Sequence, residues 1–185
     1  LVRADVREVE EFVLTQVVVR DGFQELVEYC QGVDTRLVVV SSGLDLYINP
    51  TMKRLGLEHM EVHSARARVN ASGIEVEYSD PSGSMITRGF KESYVRQFRG
   101  EGYSVIYIGD GMSDIVPATE ADFVIARSTL ARHCGASGIP HRRFEDFEDV
   151  TRGWWTPGGW RALRPHASHY AVVWYNECEA LQEYN

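Results

Sequence analysis

Three short apolar segments, each followed by a stretch with helical spacing, constrain the fold more than any other feature of the sequence. They span residues 37–40, 105–108 and 123–126, and none of them alternates polar with apolar residues. A strand without alternation is buried on both faces, which is typical of a parallel sheet covered by helices on both sides. The pattern therefore predicts a three-layer α/β fold built from βαβ units.

Residues 61–78 follow a different pattern. Polar and apolar residues alternate there around an Asn-Ala-Ser-Gly turn, which predicts a β-hairpin with one face in water. Residues 45–56 have helical spacing that we expect to be interrupted at Pro50. A short edge-like strand is expected over residues 139–144, after the last of the three apolar segments.

Composition excludes several kinds of partner. The formal charge of −8 and the pI near 5.2 argue against nucleic acid or an anionic membrane, because both need a basic face. The three cysteines form neither a zinc pattern nor a disulfide framework, which favours a cytoplasmic protein. An anionic ligand would have to be held by local donors or by a metal.

The loop after the second apolar segment carries two carboxylates. In an open α/β sheet, ligands bind beyond the carboxyl ends of the strands, where Asp110 lies, and Asp114 falls in the first turn of the next helix. Carboxylates held this close repel unless a cation lies between them or one is protonated, and Mg²⁺ suits such a site. We expect Gly109 and Gly111 to let the backbone approach a ligand and take positive φ, and Ser113 is a candidate N-cap. The alternative is a simple strand-to-helix turn, in which Asp114 favours the helix N-terminus.

Two further elements carry polar candidates. Ser41 and Ser42 end the first apolar segment before a helix, where hydroxyls and backbone N–H groups can bind an anion, although either serine could be only an N-cap. Lys91 opens a helix, an unfavourable position for a cation in the helix dipole, although an exposed lysine would explain it as well.

In this order, the segments VVVSSGLD, FKESYV, VIYIGDGMSDIVPA and ADFVIAR resemble the haloacid dehalogenase superfamily, and most closely its phosphoserine-phosphatase-like branch. Within that branch, the hairpin and the segment IPHRRFEDFEDV resemble the methionine-salvage enolphosphate phosphatases. The resemblance covers roughly residues 18–150. It implies a Rossmann-like fold and Mg²⁺-dependent hydrolysis of a small phosphorylated metabolite through an aspartyl-phosphate.

The resemblance also implies roles for individual residues. Ser41 matches the residue that binds the transferring phosphoryl group, with Ser42 and Gly43 beside it. Lys91 matches the lysine that neutralises this group and orients the nucleophile. Asp110 matches the acidic Mg²⁺ ligand, and Asp114 supports the metal site.

The sequence departs from the family at one essential point. The nucleophile of the family is the first Asp of an Asp-x-Asp-Gly-Thr element after an N-terminal strand, and this sequence has no Asp-x-Asp. We therefore expect the N-terminal strand, most of the cap domain and the nucleophile to be absent from this chain. Two hypotheses follow: a phosphatase that is incomplete or inactive in this form, or a catalytically degenerate module that binds a ligand or partner.

This departure shapes the expected domain organisation. Residues 1–18 are interpreted as a helical remnant of the cap or a linker, 19–153 as the core, and 154–185 as an extension that contains all four tryptophans. The missing strand is central in the family, between the strands that end at Ser41 and Asp110, so its absence would leave interior backbone groups unpaired.

Three solutions to this gap are open. Residues 169–175, an apolar run, could fill it; a strand from another copy could do so in a homo-oligomer; or the two flanking strands could close on each other. Alternatively, the C-terminal run is a peripheral strand or a surface helix. Asn176 and Cys178 have the spacing of the missing acids, but they cannot replace them chemically.

Overall fold

The computed structural model describes residues 11, 15, 17–70, 73–154 and 170–174. Within these residues, an eight-stranded sheet has the strand order β4-β3-β2-β1-β8-β5-β6-β7. Six of the strands (β2, β1, β8, β5, β6 and β7) are parallel neighbours, and β3 and β4 extend the sheet in antiparallel fashion. The strands are β1 Arg36–Leu44, β2 Glu61–Asn70, β3 Gly73–Ser79, β4 Met85–Ile86, β5 Ser104–Gly109, β6 Phe123–Ala126, β7 Arg142–Arg143 and β8 Tyr170–Trp174.

Helices cover both faces of the sheet, as the absence of alternation predicted. In chain order the helices are α1 Phe23–Gly32, α2 Asp45–Arg54, α3 Phe90–Gly100, α4 Ile115–Glu120, α5 Ser128–Ser137 and α6 Phe147–Trp154. Helices α1, α2 and α6 pack with Val39, Ile106 and Ile108 on one face. Helices α3, α4 and α5 pack with Val40, Val105 and other strand residues on the opposite face. The predicted three-layer α/β fold is therefore confirmed.

Strand β8 lies at the centre of the sheet. It pairs in parallel with β1, where Val173 is level with Val38, and with β5, where Val172 is level with Ile106. Of the three solutions expected for the gap, the structure has the first, and the sheet is completed within one chain. The alternative of a peripheral position for this strand is wrong, because backbone groups on both β1 and β5 need partners. Asn176 and Cys178 lie outside the described residues.

The hairpin is confirmed, and the interruption expected at Pro50 is wrong. β2 and β3 pair from Arg66 opposite Glu77 to Asn70 opposite Gly73. Helix α2 continues through Pro50 to Arg54, because its apolar side packs into the core at Ile48, Met52 and Leu55. Most of residues 1–18, which were interpreted as a helical remnant of the cap or a linker, lies outside the described residues. Among those that are described, no helix combines the length and apolar character needed to cross a membrane.

Candidate functional site

Asp114 is the structural centre of the loop that follows β5. The loop forms a short 3-10 turn, Met112–Asp114, before α4 begins. The Asp114 carboxylate is fully buried and accepts four hydrogen bonds: from Lys91 Nζ at 2.8 Å, Tyr107 Oη at 2.6 Å, the Asp110 N–H at 3.0 Å and the Gly111 N–H at 2.9 Å. A carboxylate has about four acceptor positions, so these donors saturate it.

Lys91 is the cation of this site. It lies in the first turn of α3 and is only 2% exposed, and its ammonium group donates to Asp114 and, at 2.9 Å, to Ser113 Oγ. A buried charge is costly without a partner, which explains why a lysine occurs at this unfavourable end of the helix. The Ser113 hydroxyl accepts a hydrogen bond from Lys91. Its predicted role as an N-cap is wrong, because the turn has no side-chain capping bond from Ser113.

Gly109 is required for space, and the expected positive φ is wrong for both glycines of the loop. Gly111 has φ −105° and ψ −178°, and Gly109 does not belong to the positive-φ glycines of the described chain. A Cβ atom at Gly109 would lie 2.7 Å from Cγ of Asp114. Because four hydrogen bonds fix that carboxylate, it could not move away, so glycine lets the strand end pack directly against Asp114.

Asp110 lies at the tip of β5 beside this buried pair. Its backbone N–H donates to Asp114, and its carbonyl accepts from the Leu130 N–H at 3.1 Å. These bonds hold the Asp110 backbone from both sides, and the residue is only half-buried. Since four hydrogen bonds saturate the Asp114 carboxylate, Asp110 rather than Asp114 is the carboxylate of this loop that could hold a metal. The described residues contain no group of three or more Asp, Glu, His or Cys side chains with metal-site geometry.

The two serines of β1 face different cavities, because side chains alternate along a strand. Ser41 is buried, its Oγ accepts from the Gly43 N–H at 3.0 Å, and it borders an apolar cavity of about 30 Å³ against α2. Tyr47 also lines that cavity, and its hydroxyl occupies the space that a Cβ atom of Gly43 would need. Ser42 instead borders a cavity of about 240 Å³ that it shares with Lys91.

The larger cavity contains residues that sequence reasoning missed. Tyr78 Oη donates to the Ser42 carbonyl at 3.0 Å, and its ring packs on Phe90 with centroids 5.0 Å apart. Burial raises the pKa of Tyr78, which keeps the hydroxyl in its donor form. The full lining is Ser42, Tyr78, Thr87, Arg88, Gly89, Phe90, Lys91, Glu92 and Ser113. No local motif marks Tyr78, because only the packing of the hairpin against α3 brings it to this cavity. Arg88 lies just before α3 in sequence, and no motif marks it either.

The chain belongs to the haloacid dehalogenase-like hydrolase family. The model of that family matches residues 1–118, which is more than half of the chain. The order of the elements agrees with this assignment, since β1, which carries Ser41, and β5, which is followed by Asp110, flank the central strand β8, and Lys91 lies between β1 and β5 in sequence.

Curated relatives of the chain carry phosphatase names. The chain is 27% identical over 154 residues to the 2-hydroxy-3-keto-5-methylthiopentenyl-1-phosphate phosphatase of Bacillus pumilus, covering 81% of this chain and 66% of the relative. A protein of the same name from Brevibacillus brevis is 28% identical, covering 79% and 67%. The chain thus spans about two thirds of the length of these relatives.

A solved structure supports the fold. The crystal structure of phosphoserine phosphatase in apo form superposes with a TM-score of 0.59 at 18% identity, covering 80% of this chain and 72% of that one. At this identity the likeness concerns the fold alone, and it agrees with the Rossmann-like architecture that the sequence predicted.

Proposed function

We propose that this chain binds and positions the phosphoryl group of a small phosphorylated metabolite for Mg²⁺-dependent phosphomonoester hydrolysis. The observation that carries the proposal is the buried Lys91–Asp114 pair, 2.8 Å between Nζ and Oδ1, at a cavity of about 240 Å³ beside Ser42. A buried ammonium group held rigidly beside a cavity is suited to an anion. The phosphatase names of the relatives favour a phosphoryl group as that anion.

Phosphoryl transfer depends on positioning and on neutralising charge around the phosphoryl oxygens. Lys91 supplies a fixed positive group, and its hydrogen bonds to Ser113 and Asp114 keep the ammonium in place without a loss of side-chain entropy on binding. Ser42 adds donors at the end of β1. We assign Ser41 and Gly43 to the support of this loop, because the Gly43 N–H already donates to Ser41 Oγ.

The donor set suits Mg²⁺ held mainly by Asp110. Mg²⁺ binds proteins through one or two carboxylates and completes its coordination with water and substrate phosphate oxygens. Bound there, Mg²⁺ would supply further neutralisation of phosphoryl charge. Asp114 is not assigned as a metal ligand. Its carboxylate instead accepts a hydrogen bond from the Asp110 N–H at 3.0 Å and so fixes the Asp110 backbone.

No residue of this chain is assigned as the nucleophile, because the sequence has no Asp-x-Asp element. The relatives named as phosphatases of a small enolphosphate favour a similar class of substrate here. They also favour a phosphatase over the second hypothesis, a degenerate binding module. The cytoplasmic location and a homo-oligomer stay predictions, and completion of the sheet does not itself require a second copy.

Mg²⁺ should raise the melting temperature of the full chain, and Asp110→Asn should abolish this shift. A ligand that binds only the folded state stabilises it by RT ln(1 + [L]/Kd), or up to about 2.7 kcal/mol at about 100 times Kd. Asp34→Asn is the matched control, because Asp34 is exposed and asparagine tolerates its φ of 53°. Differential scanning calorimetry with and without MgCl₂ measures the shift. An unchanged shift in Asp110→Asn would place the metal elsewhere and contradict the proposed site.

A further inference from the structure

Tyr78 reaches the cavity beside Lys91 from the hairpin, an element that is remote in sequence from β1. Its ring is half-buried and packs against Phe90, the residue before Lys91, with the ring planes tilted by 54°. Its Oη donates a hydrogen bond to the Ser42 carbonyl at 3.0 Å. Tyr78 and Ser42 both line the cavity, so this hydrogen bond lies at the wall of the proposed phosphoryl site.

The peptide unit between Ser42 and Gly43 is held at both of its polar ends. Its carbonyl oxygen accepts from Tyr78 Oη, and its N–H, which belongs to Gly43, donates to Ser41 Oγ at 3.0 Å. The C=O and N–H of a planar trans peptide point in opposite directions, so a hydrogen bond at each end fixes the rotation of the whole unit. The two bonds therefore keep the N–H turned towards Ser41 and the carbonyl oxygen turned towards Tyr78.

An uncapped carbonyl oxygen at this wall would oppose the binding of an anion. Phosphoryl oxygens are negatively charged acceptors, and the partial negative charge of a carbonyl oxygen repels them. The Tyr78 hydroxyl places a hydrogen atom on the Ser42 carbonyl oxygen and so reduces this repulsion. Burial raises the pKa of Tyr78, so the hydroxyl keeps the proton that this role requires at neutral pH.

We infer that Tyr78 is a positioning residue of the phosphoryl site, because it caps the Ser42 carbonyl and fixes the peptide between Ser42 and Gly43. This inference rests on the proposed function, since it assumes that the phosphoryl group lies in the cavity beside Lys91. Tyr78 acts through the end of β1 and not by contact with the phosphoryl group. The hairpin thereby contributes to anion binding through a single hydrogen bond.

Tyr78→Phe removes only the hydroxyl group, and Tyr94→Phe is the matched control. Tyr94 also packs on Phe90, with ring centroids 5.4 Å apart, and its Oη donates to the Ser79 carbonyl at 3.2 Å. It is not one of the described residues that line the cavity. Since each variant loses one hydrogen bond from a tyrosine to a backbone carbonyl, both should lower the urea midpoint slightly and to a similar extent.

Two measurements on the full chain test the role of Tyr78. Isothermal titration with inorganic phosphate in the presence of Mg²⁺ gives the affinity, and ¹H–¹⁵N correlation spectra of the ligand-free protein report on the Gly43 amide. We expect Tyr78→Phe to bind phosphate about fivefold more weakly than the wild type, which is the effect of one neutral hydrogen bond. It should also shift the Gly43 resonance, because the Gly43 N–H belongs to the peptide that loses its cap. Tyr94→Phe should change neither quantity.

The outcomes separate this inference from the proposed function. Wild-type affinity in Tyr78→Phe overturns the role of Tyr78 and leaves the phosphoryl site intact. Weaker binding with an unchanged Gly43 resonance also overturns it, because Tyr78 would then contact the phosphate directly. Equal weakening in Tyr78→Phe and Tyr94→Phe overturns it as well, since a general loosening of the packing around Phe90 would explain both. If inorganic phosphate fails to bind the wild type, the proposed function fails and the inference fails with it.

Discussion

Replacing Val172 by proline should remove most of the stability of this fold. Val172 lies in the middle of β8, level with Leu37 of β1 and Ile106 of β5. Proline has no N–H and is excluded from central strands, so the change leaves a neighbouring carbonyl unpaired and forces the strands apart. Each unsatisfied buried group costs about 1–3 kcal/mol, and a domain has only about 5–15 kcal/mol of net stability. Urea unfolding should show a large fall in the midpoint.

Two controls separate the central position from other effects. Met85→Pro places proline in β4, the edge strand, at an exposed residue, and should cost far less. Val172→Ala keeps the backbone N–H and should therefore cost less than Val172→Pro. Deletion of residues 155–185 should be as damaging as Val172→Pro. If Val172→Pro and the deletion variant stay monomeric with an unchanged midpoint and slope, β8 does not complete the sheet in solution.

Asp114→Asn should destabilise the protein by about 3–5 kcal/mol, because it leaves the Lys91 ammonium buried without a counter-charge. Lys91 is 2% exposed and Asp114 is 0% exposed, so solvent cannot compensate for the loss. The asparagine side chain also turns one acceptor oxygen into a donor. That donor would face either Lys91 and Tyr107 or the two backbone N–H groups. Equilibrium unfolding in urea at pH 7 measures the difference.

A double variant provides the test of mechanism. Lys91→Met combined with Asp114→Asn removes the uncompensated charge, so it should be more stable than Asp114→Asn alone, and the two changes should be non-additive. Gly109→Ser cannot replace this double variant as a test of the charge pair, because the serine side chain would collide with Asp114. A loss below about 1 kcal/mol in Asp114→Asn would show that the pair is hydrated in solution and does not form the rigid cation site described here.

The layered fold could be predicted from sequence, because its signal is local. Continuous apolar segments at 37–40 and 105–108 indicate burial on both faces, and the hairpin was visible in the alternation around its turn. The position of β8 was only one of several options, since a short apolar strand does not state which strands it pairs with. A global condition sets its place in the structure instead: β1 and β5 each need a partner, and β8 pairs with both.

The composition of the site was predictable to a lesser degree. Motif order identified Lys91, Asp110 and Asp114 as candidates, but it could not show that Asp114 is saturated by four donors, two of them the side chains of Lys91 and Tyr107. Likewise, adjacent serines look equivalent in sequence. Only the packing of α3 against one face of β1 shows that Ser42 shares a cavity with Lys91 and that Ser41 does not.

The most direct measurement is ³¹P relaxation of inorganic phosphate in the presence of the full chain and Mn²⁺, which replaces Mg²⁺ as a paramagnetic probe. If Asp110 holds the metal and the phosphoryl group lies beside Lys91, Mn²⁺ should strongly raise the ³¹P relaxation rate of bound phosphate. The metal ion and the phosphate would then be neighbours at one edge of the sheet. Asp110→Asn should remove the enhancement, whereas Asp34→Asn should retain it. Phosphate that binds without metal-dependent relaxation, or an enhancement that persists in Asp110→Asn, would contradict a shared metal and phosphoryl site at the end of β5.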